Sequence, residues 1–396
     1  MNADTELRYD FIAPQRIVFG WGRRSEVGKL ARTLGRRALL ISGLPPAVGE
    51  TVIAEIAEIL RAEGIESVPL GAIDHEPEVA DVDRVAARLR QQNVAAGDFL
   101  LAVGGGAAVD LAKAAAAMAT NTESPSVKDY LEGVGRDLAI LRPPLPVLAM
   151  PTTAGTGAEA TRNAVISSYD PPFKKSLRNE QLVPRIALLD PELCVSAPPA
   201  VTAASGMDAI TQLIESYISR KAQPIPQALA VQGLRLAMPA IAEAVEDGTS
   251  RPAREKMSHA ALLSGMALAN SGLGMAHGVA PALGTVCRVP HGEACAVMLP
   301  AALRTNRVVC EAQLARLARH VFPRESFASD SRAVDALVEE IESLCSRVGI
   351  PRRLSQLGVK AEQIPDLVKN SRGSSMSGNP RELSDEELTK ILEDLL

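Results

Sequence analysis

Phe99-Leu-Leu-Ala-Val103 is an unbroken apolar run that ends on three consecutive glycines, Gly104-Gly-Gly106. Such a run reads as a buried strand, and the glycines stand at its carboxyl end. The chain before it repeats one theme. An extended segment, Arg16-Ile-Val-Phe19, meets a turn at Gly20-Trp21-Gly22, and Ser25 then caps a helix through Leu34. Arg37–Ile41 is a strand, Glu50–Glu63 a helix, Val68–Leu70 a short strand and Val79–Gln92 an amphipathic helix; Val147–Met150 is a further strand. Strand and helix alternating at these lengths imply βαβ units and a mostly parallel sheet.

The pattern changes near Asp190-Pro191. Strand-like runs stop, and helical, Ala-rich stretches follow, joined by turns at Gln223-Pro-Ile-Pro226 and Phe322-Pro323. A chain of 396 residues exceeds what one core usually fills. The expected organisation is therefore an α/β domain over residues 1–190 and an all-α domain over residues 191–396. Aromatic residues make up only 3% of the chain, so aliphatic side chains must fill the core, which favours helix-rich packing over a β-sandwich.

A net charge of −5 argues against a nucleic-acid partner, because no excess of Lys and Arg is available to displace counterions. Apolar runs long enough to span a membrane are cut by Asp98, Asp110 and Lys113, and Asp4, Glu6 and Asp10 do not fit a secretory signal. Cys194, Cys287, Cys295, Cys310 and Cys345 are odd in number and form no Cys-x-x-Cys pair, so they read as free thiols in a reducing compartment. The expectation is a cytoplasmic protein without a membrane partner.

Three places carry chemistry. Gly104-Gly-Gly-Ala-Ala-Val-Asp110-Leu-Ala-Lys113 joins strand to helix, where bare backbone and a helix N-terminus suit a pyrophosphate; the alternative is a tight turn with no ligand. Pro151-Thr-Thr-Ala-Gly-Thr-Gly-Ala-Glu159 offers hydroxyls and backbone after another strand, suited to a diphosphate or ribose, or else a solvated turn. In the second half, Gly206-Met-Asp-Ala-Ile-Thr-Gln212 reads as the start of a helix with Asp208 and Gln212 one turn apart on one face. His277 and His291 lie far downstream. Pro281, Gly284 and Pro290 argue against one helix through both, and His291 stands at the start of a new one. An acid, an amide and two imidazoles form a metal-site inventory. His75, His259 and His320 read as ordinary residues.

These motifs in this order resemble the iron-containing (group III) alcohol dehydrogenases, in the superfamily of glycerol dehydrogenase and dehydroquinate synthase. The matching set is Gly104-Gly-Gly-x-x-x-Asp110-x-x-Lys113, Pro151-Thr152-Thr153-x-Gly-Thr156, Asp190-Pro-Glu-Leu193, Gly206-Met-Asp208-Ala, Gly272-Leu-Gly-x-x-His277, Pro290-His-Gly292 and Asn379-Pro-Arg381. The resemblance implies an N-terminal α/β dinucleotide domain, a helical C-terminal domain, an active site in the cleft between them, and a homodimer, with the edge near Arg16–Phe19 as the place to look for the dimer contact. It places metal ligands for Fe²⁺ or Zn²⁺ at Asp208, Gln212, His277 and His291. Cofactor contacts fall at Gly104, Gly105, Gly106, Asp110, Thr152, Thr153, Thr156, Asn163, Lys174 and Leu193. Gly43 stands where the family often has an Asp for the adenosine ribose, so NADP as well as NAD is permitted.

Four positions depart from the family pattern. Gln212 replaces a metal-binding His, Pro281 replaces a His common near the substrate, and Ala107 and Ala158 replace serines of the cofactor loops. Gln for His exchanges an imidazole nitrogen for a weaker, harder oxygen, so metal binding should weaken. The implied activity is hydride transfer between nicotinamide and an alcohol, aldehyde or keto-acid substrate. His277, His291 and Gln212 stand as catalytic candidates if no metal takes part. A metal-independent enzyme resembling maleylacetate reductase, a lyase of the dehydroquinate synthase type and an impaired NADP-binding relative remain the alternatives.

Overall fold

A computed structural model describes residues 8–396 of the chain; Asp4 and Glu6 lie outside the described residues. Among the described residues eight strands run in chain order as β1 (Arg16–Phe19), β2 (Arg37–Ser42), β3 (Glu66–Ala72), β4 (Asp98–Gly104), β5 (Val147–Pro151), β6 (Asn163–Tyr169), β7 (Pro172–Arg178) and β8 (Ile186–Leu189). Six form one sheet in the order β1-β8-β5-β4-β2-β3, and every neighbouring pair in it is parallel. Helices α1 (Val27–Ala31), α2 (Pro46–Ala62), α3 (Val79–Gln91) and α4 (Gly106–Thr120) fill its crossovers.

The apolar run of β4 is explained by its place. All seven of its residues are buried, with Leu100 and Ala102 packed into one core and Phe99, Leu101 and Val103 into another. A strand covered on both faces has no need of polar alternation. From β2 the chain winds outward to β3, then returns to β4 on the other side of β2 and continues to β5. The order therefore reverses between β2 and β4, which opens a crevice at their carboxyl ends, where α/β sheets bind ligands. Gly43 follows β2 there, and Gly105 follows β4.

The second half is helical: α5 (Pro199–Ile218), α6 (Pro224–Glu246), α7 (Arg251–Ala269), α8 (Met275–Cys287), α9 (His291–Val321), α10 (Asp330–Arg347), α11 (Ile364–Asn370) and α12 (Asp385–Asp394). Helix α5 is buried along most of its length and packs against α6, α7 and α9. Among the described residues, α6 is the one helix long and apolar enough to cross a membrane, and it contributes Ala230, Leu234, Ala237 and Ile241 to the helical core.

The structure corrects several local expectations. The antiparallel hairpin β6–β7 and the strand β8 lie in a stretch for which no strand was expected. In the hairpin, polar Ser167, Ser168, Lys174, Lys175 and Ser176 blur the apolar signal. Helix α5 starts at Pro199, not at Gly206. Pro224 opens α6 rather than marking a turn, as suits a residue with no N–H to leave unpaired at a helix start. As expected, no one helix runs through both His277 and His291, but the break is not at Pro281. That residue removes only the N–H that would bond the His277 carbonyl, and the helix runs on to Cys287. The break comes at Arg288, with φ +61°, whose N–H bonds Gly284 O.

Candidate active site

Helix α4 begins at the crevice. No side chain caps it at Gly105, which leaves its first N–H groups turned to the opening, with the positive end of the helix dipole behind them. Across from it runs the loop after β5. A Cβ placed on Gly106 would lie 2.6 Å from Thr156 Oγ1, and one on Gly105 3.2 Å from Thr153 Oγ1. The two loops thus face each other at a spacing that only glycine permits. This bare, donor-rich cradle fits a dinucleotide pyrophosphate. Thr152 is buried, with its N–H bonded to Gly104 O at 3.1 Å, and braces the cradle from below. At Gly43, a Cβ would meet Ala108 Cβ at 2.9 Å, so close packing favours glycine at this corner.

Asp110 and Lys113 support the cradle from behind. Lys113 is fully buried; its ammonium donates to Ala158 O and Thr161 Oγ1, each at 2.9 Å, and lies 2.9 Å from Asp110 Oδ1. Asp110 Oδ2 accepts the Val165 N–H at 3.0 Å. These contacts pin the loop after β5 and the strand β6 to α4. The predicted cofactor contact at Asp110 is thus committed to the fold. Leu193 is also buried, packed with Val18, Leu148 and Leu188 in the core beneath the sheet. Asn163 Oδ1 accepts from Arg178 Nε across the hairpin. Lys174 pairs with Glu76 at 2.6 Å and reaches far enough to act on His291.

Asp208, His277 and His291, far apart in sequence, meet at the opposite wall. Asp208 Oδ1 lies 3.1 Å from His277 Nε2 and 3.9 Å from His291 Nε2. His277 enters from the first turn of α8, where a second carboxylate holds it: Glu215 Oε2 is 2.8 Å from His277 Nδ1 and accepts the His277 N–H, while Oε1 accepts the Ala276 N–H at 2.7 Å. Asn379, of the late Asn-Pro-Arg motif, accepts the Met275 N–H at 3.0 Å. Two side chains from elsewhere therefore cap α8 and fix the ring of His277. His291 opens α9 against α5, an approach that needs Gly292, since a Cβ there would lie 2.4 Å from Ala204 O.

Glu215 and Cys295 are the two residues that sequence reasoning missed. Cys295 Sγ lies 3.7 Å from His291 Nε2, and one ligand atom each from Asp208, His277, His291 and Cys295 gather within 4.8 Å of one another. Both residues carried a signal. Glu215 is seven after Asp208 and Cys295 four after His291, which are same-face spacings on a helix. All five cysteines are free thiols, as expected, and Cys295 is the one of them that lies beside the histidines.

Gln212 is beside the cluster but turned otherwise than a ligand. Its Nε2 donates to Asp208 Oδ2 at 3.0 Å and approaches Thr156 O at 3.4 Å. Its Oε1 accepts from Ser264 Oγ at 2.7 Å. Two acceptors on one side and a hydroxyl donor on the other set the direction of the amide.

The electrostatics suit a cation. Burial works to raise the Asp208 carboxyl, but the hydrogen bond from His277 and the charge of that imidazole outweigh it and hold it below the usual carboxylate range. Burial, with the Lys174 ammonium nearby, pushes His291 down to about 4, so its ring is neutral at pH 7. Burial opposes a charge on His277 too, yet Cys295, Asp208 and Glu215 around it raise it well above a free imidazole. Burial pushes the Cys295 thiol up to about 12. His291 Nδ1 is buried without a hydrogen-bond partner among the described residues. A neutral imidazole with so few partners, an ionised carboxylate and a thiol around one point are a donor set that fits a divalent metal.

Comparison with known proteins gives a consistent result. Residues 14–191 match the family model described as iron-containing alcohol dehydrogenase, and residues 202–396 the one described as Fe-containing alcohol dehydrogenase family, C-terminal. The chain is 33% identical over 362 residues to long-chain-alcohol dehydrogenase 1 of Geobacillus thermodenitrificans, covering 90% of each chain. It is 30% identical over 388 residues to the NAD-dependent methanol dehydrogenase of Bacillus methanolicus, covering 98% of this chain and 100% of the relative. The crystal structure of a 1,3-propanediol oxidoreductase superposes with a TM-score of 0.89 at 30% identity, over 98% of this chain and all of the other.

Proposed function

The chain belongs to the iron-containing alcohol dehydrogenase family, and on that premise we propose that it is an NAD(P)-dependent alcohol dehydrogenase working at the crevice between the α4 cradle and the Asp208–His277–His291 cluster. The observation that carries this is Thr156. Its side chain stands against Gly106 at the start of α4, and its carbonyl lies 3.4 Å from Gln212 Nε2, beside Asp208. One loop thus borders both the cofactor cradle and the cation cluster, which brings a bound nicotinamide and a substrate oxygen to the same place. The proposed division is a dinucleotide domain over residues 1–190 and a helical domain over residues 191–396.

The roles follow from the chemistry of each group. The bare N–H groups at the start of α4, with Gly104, Gly105 and Gly106 and the hydroxyls of Thr153 and Thr156, receive the pyrophosphate. Asp208, His277 and His291 hold a divalent cation, Fe²⁺ or Zn²⁺, which when bound supplies Lewis acidity toward the substrate oxygen. Glu215 keeps His277 in the tautomer that presents Nε2 to that cation. The nicotinamide exchanges a hydride with the carbinol or carbonyl carbon. The absence of a carboxylate at Gly43 leaves room for either NAD or NADP.

We further propose a homodimer formed through β1. Among the described residues this strand lies at the edge of the sheet, pairs only with β8, and exposes Ile17. An unpaired edge with an exposed apolar side chain is a template for pairing with a second copy. Light scattering should give twice the chain mass, falling to one chain for Ile17→Asp.

The deciding experiment combines elemental analysis with turnover. Purified without chelator, the protein should carry about one metal per chain and reduce NAD⁺ or NADP⁺ with primary alcohols of graded length. Turnover by metal-free protein would replace this reading with a metal-independent one of the maleylacetate reductase kind. Tight cofactor binding with no turnover of any alcohol, aldehyde or keto acid would replace it with an impaired relative.

A further inference from the structure

We propose that Cys295, not Gln212, is the fourth ligand of the metal, giving an Asp208–His277–His291–Cys295 set suited to Zn²⁺ or Co²⁺ in preference to Fe²⁺. The inference rests on the reading of the first three residues as a metal site, and extends it.

Geometry is the first argument. Metal–ligand bonds of zinc sites place ligand atoms about 3.3–3.6 Å apart in a tetrahedron. The separations found are 3.1 Å for Asp208 Oδ1 to His277 Nε2, 3.9 Å for Asp208 Oδ1 to His291 Nε2 and 3.7 Å for His291 Nε2 to Cys295 Sγ, with the whole set inside 4.8 Å. The widest separation allowed by that bound closes around an ion when the ligand atoms approach by roughly 1 Å. Cys295 reaches this point by the local rule that also joins Asp208 to Gln212: it is one turn beyond His291, on the same face of α9.

Gln212 supplies the second argument by exclusion. Its one atom able to ligate, Oε1, is taken by the Ser264 hydroxyl, and the amide N–H groups face Asp208 and Thr156 O. Turning the amide over would set Oε1 against the Asp208 carboxylate and Thr156 O, two acceptors with no proton to offer. Gln212 in this setting steadies Asp208 Oδ2 and leaves Oδ1 for the ion.

The third argument is charge. A carboxylate and a thiolate in the ligand set neutralise a divalent ion, whereas a carboxylate with a neutral amide leaves one uncompensated charge in a buried place. Binding takes the proton from the Cys295 thiol and releases it to solvent; no electron moves. A thiolate is a soft ligand, which shifts the preference away from Fe²⁺.

The test is optical. The full-length protein, stripped with chelator, is titrated with Co²⁺. The expected result is one Co²⁺ per chain with an intense thiolate-to-cobalt charge-transfer band in the near ultraviolet and visible bands of tetrahedral strength. Cys295→Ser should lose the charge-transfer band and bind Co²⁺ and Zn²⁺ at least 10- to 100-fold more weakly, since removing even an outer partner of a ligand costs about that much. Gln212→Leu should retain the band. Stoichiometric Co²⁺ without a charge-transfer band in the unsubstituted protein overturns the role of Cys295 and leaves the metal site standing. So does a band that survives Cys295→Ser. No Co²⁺ binding, checked by calorimetry with Zn²⁺, overturns the metal reading itself. The Cys295→Ser result counts only with a native melting profile; if that variant fails to fold, the band in the unsubstituted protein and in Gln212→Leu decides.

Discussion

Glu215 stands behind His277: its Oε2 lies 2.8 Å from Nδ1, on the side of the ring away from Asp208, which lies 3.1 Å from Nε2. Both ring nitrogens are thereby committed before any ion arrives, Nδ1 as donor to Glu215 and Nε2 toward the cluster. The same carboxylate caps the first turn of α8. One side chain thus couples the position of the helix to the orientation of a ligand. Glu215→Gln should weaken Zn²⁺ binding about 10- to 100-fold, measured by competition against a chelating dye. Unchanged affinity would remove Glu215 from the site.

Ser264 and Gln212 form a buried hydrogen-bonded pair, so loss of one partner strands the other. Ser264→Ala should cost about 1–3 kcal/mol of stability, because Gln212 Oε1 then lacks a donor. In a thermal or denaturant unfolding series, Gln212→Leu should cost less in the Ser264→Ala background than alone. Additive losses would show that the two do not interact.

The cradle prediction concerns Gly106. Helix propensity alone favours alanine there, but its Cβ would displace Thr156, whose Oγ1 lies 2.6 Å from that position. Gly106→Ala should raise the Kd for NADH on the order of 10-fold, or about 1.4 kcal/mol, as read by nicotinamide fluorescence, while the melting temperature stays near that of the unsubstituted protein. A Kd unchanged in this variant would place the pyrophosphate elsewhere.

Glu159 makes stability depend on pH. Burial raises its carboxyl from 4.5 to about 7, partly offset by Lys113. The unfolded chain therefore loses this proton at lower pH than the folded one, and stability falls as pH climbs from about 4.5 through 7. The contribution lost is about 3 kcal/mol. Glu159→Gln should flatten this part of the profile and be the more stable form at pH 8. Parallel profiles for the two proteins would show that Glu159 is not the group responsible.

Much of this molecule is legible in one dimension. The apolar run of β4, the glycines after it and the alternation of helix and strand through residue 150 are short-range patterns, and the parallel sheet they imply is the one found. Asp208, His277 and His291 are recognisable because their motifs are local and ordered. The hairpin β6–β7 escaped, since its polar residues carry no strand period and its stability comes from contacts with α4 and α8. The helix boundaries at Pro199 and Pro224 and the continuity of α8 through Pro281 escaped because burial among neighbouring helices outweighs local propensity. What only the folded chain decided is the direction of side chains that meet from different helices. Sequence puts Gln212 one turn from Asp208, but its amide is turned by Ser264, 52 residues away, and the place beside Asp208 and the two histidines goes to Cys295. Hydrogen-bond direction and convergence of α5, α8 and α9 on one point depend on distances between segments remote in the chain, and these no local pattern encodes.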